Sequence, residues 1–349
     1  MRKQDFQRRV LRGCIATAFA TFAAAAITPA QAGPNTLVTF DAPGSGNLGT
    51  YPMAINGKSV ITGYYSDANH VNHGFVGTAT GSITTFDAPD ATTNGYDGTV
   101  ASAINASGVI TGHYTNNKQH GFVRESGGTI DEFDIGLGND TIPTAINNKG
   151  VVTGSAASSG FVRAPNGNIT QFSAPSAVTT SPHAINSAGT VAGSYYTSDN
   201  NQHGFFRTKD GTITTFNVPG GFDSTYADGI NQSGDITGYA YNNAAYVGFV
   251  RKAMDGTFTI FFNIDGCKVN DVFPAAINAD GTVTGVCFDG NSVQHGFVRA
   301  PDGTIKSFSV PNANGGTTPT AIAANGKTVG YANDVNFVAH GFRLNAGKQ

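Results

Sequence analysis

The chain has 349 residues, a formal net charge of −3, 46 Gly, no Trp and only 12% charged side chains. Sparse charge without a Lys/Arg cluster excludes a surface built for nucleic acid or anionic lipid, since both need basic patches. Beyond the N-terminal segment no stretch is apolar for long enough to span a membrane as a helix, and β-branched runs set among Gly, Ser, Thr and Asn predict many short strands joined by tight turns.

The first segment reads as a leader. Arg2, Lys3, Arg8, Arg9 and Arg12 precede an apolar stretch from Cys14 to Ile27 that ends in Ala30-Gln31-Ala32, the pattern of a secretory signal peptide over residues 1–32. The pair Arg8-Arg9 followed by Val10-Leu11 leaves both the general and the twin-arginine export routes open. The expected exported chain starts near Gly33 and forms one domain over 33–349. The leader holds five of the 20 Lys and Arg and one of the 23 acids, so the exported part carries 15 basic against 22 acidic residues.

From there one unit of about 45 residues recurs, and such self-similarity takes precedence over a two-domain expectation from length. Four landmarks keep a fixed order. The first is Ala-Ile-Asn, with Ile55, Ile104, Ile146, Ile185, Ile230 (after Gly229), Ile277 and a degenerate copy at Ile322. Eight residues after each Ile stands a Gly: Gly63, Gly112, Gly154, Gly193, Gly238, Gly285 and Gly330. The third is Gly-Phe, ending at Phe75, Phe122, Phe161, Phe205, Phe249, Phe297 and Phe342. The fourth is a run ending in Phe86, Phe133, Phe172, Phe216, Phe262 and Phe308, with an additional copy at Phe40.

Each landmark sits in a β-branched or aromatic run bounded by Gly, Asn or Asp, which predicts four strands per repeat. The first-to-second and third-to-fourth connections are short and nearly constant, while the second-to-third and fourth-to-first connections vary in length. In an antiparallel meander the two kinds lie at opposite ends, so one face of the protein is constant and the other variable. Seven copies of the first three strands and six following copies of the fourth leave one strand missing, and Leu37 to Asp41 supplies it. The expected fold is therefore an all-β, seven-bladed β-propeller of four-stranded antiparallel blades, closed by an N-terminal strand that completes the last blade and covers two open edges. An open array, or another blade count, is the alternative.

His73-Gly74-Phe75, His120-Gly121-Phe122, His203-Gly204-Phe205, His295-Gly296-Phe297 and His340-Gly341-Phe342, each after an Ile-Asn-x-x-Gly-x-Val-x-Gly type segment, resemble the extracellular HAF-repeat proteins, with Gly in place of that family's Ala. The resemblance covers nearly all of residues 37–344. It implies a repeat protein that is exported, and it implies no reaction.

Five His at one repeat position suggest a metal cluster, but equivalent positions in different blades stand too far apart for ligands to share one ion. Their expected role is a hydrogen bond from the third strand to its neighbour. No metal or other cofactor is implied, since no EF-hand, phosphate loop, zinc spacing or nucleophile elbow occurs. The position two before each landmark Ile is variable in a constant frame: Met53, Ser102, Thr144, His183, Asp228, Ala275 and Thr320. His183 and Asp228 fall in consecutive repeats and form either a binding or acid/base pair or simply polar channel lining.

All twelve Tyr lie in or beside variable connections, and Tyr51, Tyr96, Tyr226 and Tyr246 are expected in loops as ligand-binding residues. Cys267 and Cys287, the two cysteines outside the leader, suggest a disulfide in an exported chain. The only two Glu, Glu125 and Glu132, fall on the constant-turn side. That leaves no obvious pair of glutamates for glycoside cleavage on the variable face. The expected function is a non-catalytic, monomeric propeller that binds an extracellular glycan or protein through its Tyr-rich variable face, without nucleic acid or a membrane span. The alternative is a secreted polysaccharide hydrolase or lyase acting at the channel mouth.

Overall fold

The computed structural model describes residues 36–345 except 94, 96, 137, 244, 269 and 270. The leader and Tyr96 lie outside the described residues. Among those described there are 28 strands and no helix. Repeat 1 shows the plan: Gly49–Ile55, Ile61–Ser66, Asn72–Gly77 and Ile83–Phe86 pair in order as an antiparallel meander. Five more repeats form separate four-stranded sheets. The last supplies Gly316–Ile322, Lys327–Asn333 and Ala339–Asn345. Its outermost strand pairs antiparallel with Leu37–Phe40, and one parallel bridge, Gly49 to Ala339, joins this sheet to repeat 1 in an eight-stranded whole.

Each landmark has a packing reason. The third-strand Phe (Phe75 and its equivalents through Phe342) is fully buried in all seven repeats. Each meets the fourth-strand Phe of the preceding repeat edge-on, as Phe86 meets Phe122 at 6.2 Å between ring centroids and Phe308 meets Phe342 at 5.9 Å, a favoured quadrupole arrangement. The Gly ahead of that Phe lies under the fourth-strand ring: a Cβ on Gly74 would stand 2.7 Å from the ring of Phe86. A Cβ on Gly63 would run into the carbonyl of Tyr51 on the paired strand, so both glycines are needed for close approach.

The Asn of Ala-Ile-Asn does two jobs. In repeat 2, Asn105 Oδ1 accepts the backbone N–H of Ser107 and of Val109, at 3.0 Å each, which closes the tight turn. Its Nδ2 donates to the carbonyl of Asn147 in the next repeat at 3.2 Å. Asn56, Asn147, Asn186 and Asn278 bridge forward in the same way. In the degenerate repeat Ala323 cannot, and there Asn325 Nδ2 donates to the carbonyl of Gly57 while Lys327 Nζ donates to Ser59 Oγ at 2.8 Å.

The repeated His does tie the third strand to the fourth. Nδ1 pairs with the residue fourteen places on: Asp87 for His73, Asp134 for His120, Asn217 for His203 and Ser309 for His295. For His340 the same place is taken by Asp41, just after the N-terminal strand, at 3.0 Å.

One landmark is corrected. In repeat 5 the strand is Phe258–Phe261, and Phe261, opposite Gly248, takes the buried place that Phe262 was expected to fill. The preceding turn is one residue longer, closing from Gly256 N–H to the Lys252 carbonyl where other repeats close three residues apart. The frame shifts by one, and Phe262 is left 41% exposed.

Candidate functional site

The first strand of each repeat packs beside that of the next, and Gly316–Ile322 packs beside Gly49–Ile55. Each of these strands carries a bulge at the residue two before the landmark Ile, so that variable side chain is turned out of the regular alternation. Where it has a donor, it can reach the backbone of the following repeat. Thr144 Oγ1 donates to the Pro182 carbonyl at 3.0 Å, and Thr320 Oγ1 to the Pro52 carbonyl at 2.8 Å. His183 follows the same rule, with Nδ1 at 3.0 Å from the Ala227 carbonyl.

His183 also meets Asp228, the variable residue of repeat 5, with Nδ1 to Oδ1 at 3.3 Å. The sequence expectation that these two approach each other is met. The Nδ1 proton therefore points at two acceptors, and Nε2 is the basic nitrogen of the neutral ring. Burial pulls the His183 pKa down, but the hydrogen bond and charge of Asp228 and the Ala227 carbonyl together outweigh it and leave it raised. Their side chains are 30% and 24% exposed, so both are reachable, yet Asp228 Oδ2 itself is buried without a partner.

Of the tyrosines expected in loops, the described ones, Tyr51, Tyr226 and Tyr246, all lie in strands and fall into two groups. Tyr51 and Tyr226 lie within first strands, and Tyr246 opens the strand Tyr246–Arg251. The reason is that the first strands begin five or six residues ahead of the Ile and the third strand of repeat 5 begins three residues ahead of Phe249, each taking in residues the sequence offered as connection. Tyr226 stacks on Tyr239 at 4.3 Å, Tyr239 meets Phe273 edge-on at 5.2 Å, and Tyr246 lies 4.8 Å from Phe273 and 4.4 Å from Tyr241. Burial, then the neighbouring Tyr196, Tyr246 and Asp228, push the Tyr226 hydroxyl well above the ordinary tyrosine range. Thus Tyr226, Tyr246, His183 and Asp228 come together. Tyr51 belongs to a separate group, stacked on Tyr64 at 4.9 Å and edge-on to Tyr331 at 5.0 Å.

Tyr239, Phe273 and Tyr196 were not foreseen as site residues. The signal was available one step along the strand: four before each Ile the sequence reads Tyr51, Val100, Ile142, Ser181, Tyr226, Phe273 and Thr318. The cross-strand partner follows the second-strand Gly, as with Tyr239 opposite Tyr226. At that second position His113 is buried, which pulls its pKa down to about 4 against the charge of Asp140, and its Nδ1 has no partner.

Among the described residues six large apolar side chains are exposed. Val178, Tyr196, Phe262, Val335 and Phe337 are at the variable end and only Met254 is in a constant-end turn. Val178 N–H donates to the Tyr196 carbonyl at 2.7 Å, so these two adjoin. Phe337 also holds a φ of +62°, unusual for a bulky side chain. The sulfurs of Cys267 and Cys287 are bonded, with Cα atoms 5.9 Å apart, tying a variable-end connection to the strand Val283–Phe288.

No family model and no curated protein matches the chain. Among solved structures it is similar to virginiamycin B lyase from Staphylococcus aureus, at 15% identity over 89% of this chain and 99% of that one, with a TM-score of 0.61. It is equally similar to the β-propeller domain of the Trilobed protease from Pyrococcus furiosus, described as having an open velcro topology: 12% identity, 89% and 97% covered, TM-score 0.61. The BP39L lectin from Burkholderia pseudomallei matches at 11% identity over 87% and 97%, TM-score 0.54. Identities this low carry the fold alone. The chain is an all-β protein of the β-propeller type.

Proposed function

We propose that this chain is an exported HAF-repeat propeller of seven blades closed into a ring, that it catalyses nothing and that it binds a glycan or protein partner through its variable face, centred on Tyr226 and Tyr196. Closure is supported by the pairing of Leu37–Phe40 with the last repeat and by the bond from Thr320 to Pro52. The observation that carries the binding role is asymmetry. The buried packing devices repeat around the molecule, whereas five of the six exposed large apolar side chains among the described residues gather at one end, Tyr196 beside Tyr226 among them. Packing needs do not require such clustering, and exposed apolar surface rimmed by polar groups is what partner sites use. A propeller lectin is among the similar structures. A glycan array probed with the purified protein should give saturable binding that Tyr226→Ala and Tyr196→Ala weaken. An array without a hit, followed by no binding to isolated cell-envelope fractions, would remove the proposal.

A second reading rests on the His183 ring. Nδ1 is held by Asp228 and Ala227 while Nε2 makes no hydrogen bond among the described residues, which is how a general base is oriented. On that reading the protein is a polysaccharide hydrolase or lyase at the channel mouth. Product release from a polysaccharide panel, lost in His183→Ala with Asp228→Ala, decides between the two.

A further inference from the structure

The outermost strand of repeat 5, Phe258–Phe261, is apolar where its six counterparts are polar. The third residue of a fourth strand is Thr, Glu, Gln or Ser in the other repeats, as at Thr85 and Glu132, and here it is Ile260. The residue after the closing Phe is elsewhere Asp, Asn or Ser, and in five repeats it holds the third-strand His, as Asp87 holds His73 and Asp41 holds His340. In repeat 5 the His is replaced by Val247, and the residue after the closing Phe is Phe262, 41% exposed. The lengthened turn ahead of the strand carries Met254, which is 94% exposed and is the only large apolar side chain exposed at the constant end among the described residues.

Folding does not call for Met254 or Phe262. Both are too exposed to add much to the core, and a polar residue serves at the Phe262 position in every other repeat. Phe258–Phe261 is the last strand of its sheet, so its far side presents backbone N–H and C=O groups that no strand of the sheet pairs. Charge is one means of keeping such an edge from pairing with another chain. The fourth strand of repeat 2 carries Asp131 and Glu132 and that of repeat 6 carries Lys306, whereas from Gly256 to Ile264 there is no charged residue. An uncharged, proline-free run rich in aromatic and β-branched residues is the kind of edge that accepts a further strand.

The placing of the two exposed side chains points to the partner. Met254 precedes the strand and Phe262 follows it, one beyond each end. When two copies of one strand pair antiparallel about a two-fold axis, the Met254 end of each copy lies at the Phe262 end of the other, so the edge is self-complementary. Antiparallel ladders are also the more stable per residue. We infer that two copies of this chain associate edge to edge and antiparallel through Phe258–Phe261, with Met254 and Phe262 as anchors at either end, in place of the expected monomer. So short an edge covers less than the roughly 800 Å² per partner of a standard interface, which sets the dimer in the micromolar range. Reversing the strand reverses the whole propeller, and the two variable ends point in opposite directions. On the reading that this end binds a partner, one dimer joins two of them; the dimer itself uses neither Tyr196 nor Tyr226.

Sedimentation equilibrium of the purified protein, from about 1 to about 200 μM, should show monomer and dimer in exchange with a micromolar Kd. Phe262→Asp combined with Ile260→Thr installs residues that other repeats carry at these places, and should weaken the dimer about tenfold or more with the thermal transition retained. Val335→Asp, at a side chain 67% exposed in another repeat, should leave the dimer unchanged. Mixing reads the orientation. Met254→Glu and Phe262→Lys should each weaken self-association, and an equimolar mixture of the two should associate about tenfold more tightly than either alone, because antiparallel pairing sets the two introduced charges against each other. A monomer at every concentration, a dimer that survives the double replacement, or an equal loss in Val335→Asp overturns the edge-to-edge dimer. A mixture no tighter than its parts overturns the antiparallel arrangement. The glycan array judges the variable face separately from all of these results.

Discussion

Phe40 lies edge-on against Phe75, with ring centroids 6.3 Å apart and planes at 78°, although Phe40 is paired in the sheet of the last repeat, opposite Gly341. It stands in the same relation to repeat 1 as Phe86 does to repeat 2. The N-terminal strand is therefore the fourth strand of the last repeat in both its hydrogen bonds and its packing. Phe40→Ala should cost about 2 kcal/mol, the scale of a partly buried aromatic. Urea unfolding with the midpoint compared to the parent protein measures it; a change below about 0.5 kcal/mol, typical of uninvolved surface sites, would mean the strand is not an integral part of the sheet.

The one-residue frame shift in repeat 5 gives a sharper comparison. Phe261 is 7% exposed and meets Phe297 edge-on at 6.1 Å, and Phe262 is 41% exposed. Phe261→Ala should lose about 3 kcal/mol or more, and Phe262→Ala about 1 kcal/mol or less. If the two losses are reversed in the same denaturation experiment, the longer turn at Lys252 to Gly256 has been placed wrongly.

His340 gives the pH dependence. It is held by Asp41 at Nδ1, 3.0 Å away, and faces Asp334 across Nε2 at 3.8 Å. The Asp41 hydrogen bond leads the effects on its pKa; burial opposes it, and the charges of Asp41 and Asp334 add to the rise, so the value stands above the ordinary histidine value. A raised folded-state pKa means that the charged ring binds its proton more tightly in the native state. The stabilisation is fully present below about pH 6.5 and is lost as pH rises through the folded value. The midpoint difference between the parent and His340→Gln should be largest near pH 5.5 and shrink towards pH 8.5. A difference that grows with pH would contradict the clasp between His340 and the N-terminal strand.

The repeat was legible because each landmark answers to a local steric demand. Gly63 and Gly74 are where a Cβ meets a carbonyl or a ring, and Asn105 is where a turn needs a cap and a bridge, so spacing alone exposed them. The pair His183–Asp228 was legible for the opposite reason, as variation inside a constant frame. What the sequence hid depends on strand ends and frame. The first strands start earlier than their Gly and Thr content suggests, which brought Tyr51 and Tyr226 out of loops and onto the strand. Tyr239 joined the site through cross-strand pairing, a relation that a position-by-position alignment of repeats does not display. Phe261 was missed because two adjacent phenylalanines follow an irregular turn, and only burial distinguishes them.

The cysteine pair links stability to the Tyr226 group. Cys267 and Cys287 are 20 positions apart in the chain, and closing a loop of that order contributes about 3 kcal/mol by restricting the unfolded chain. Cys267 belongs to the connection that runs on to Asp271, where a parallel bridge meets Tyr246, and Lys268 N–H donates to the Phe288 carbonyl. Breaking the disulfide leaves those backbone contacts and the Phe273 packing to hold the connection, so it should loosen the support of Tyr246 without unfolding the sheet. Replacing Cys267 and Cys287 by Ala should lower the urea midpoint by an amount equivalent to about 3 kcal/mol, and should weaken binding at Tyr226 by a few-fold, less than the loss from Tyr226→Ala. The two effects are read on the same sample by denaturation and titration, with alkylation before reduction expected to label no thiol in the purified protein. Free thiols in that protein, or full binding strength after both replacements, would detach the disulfide from the site.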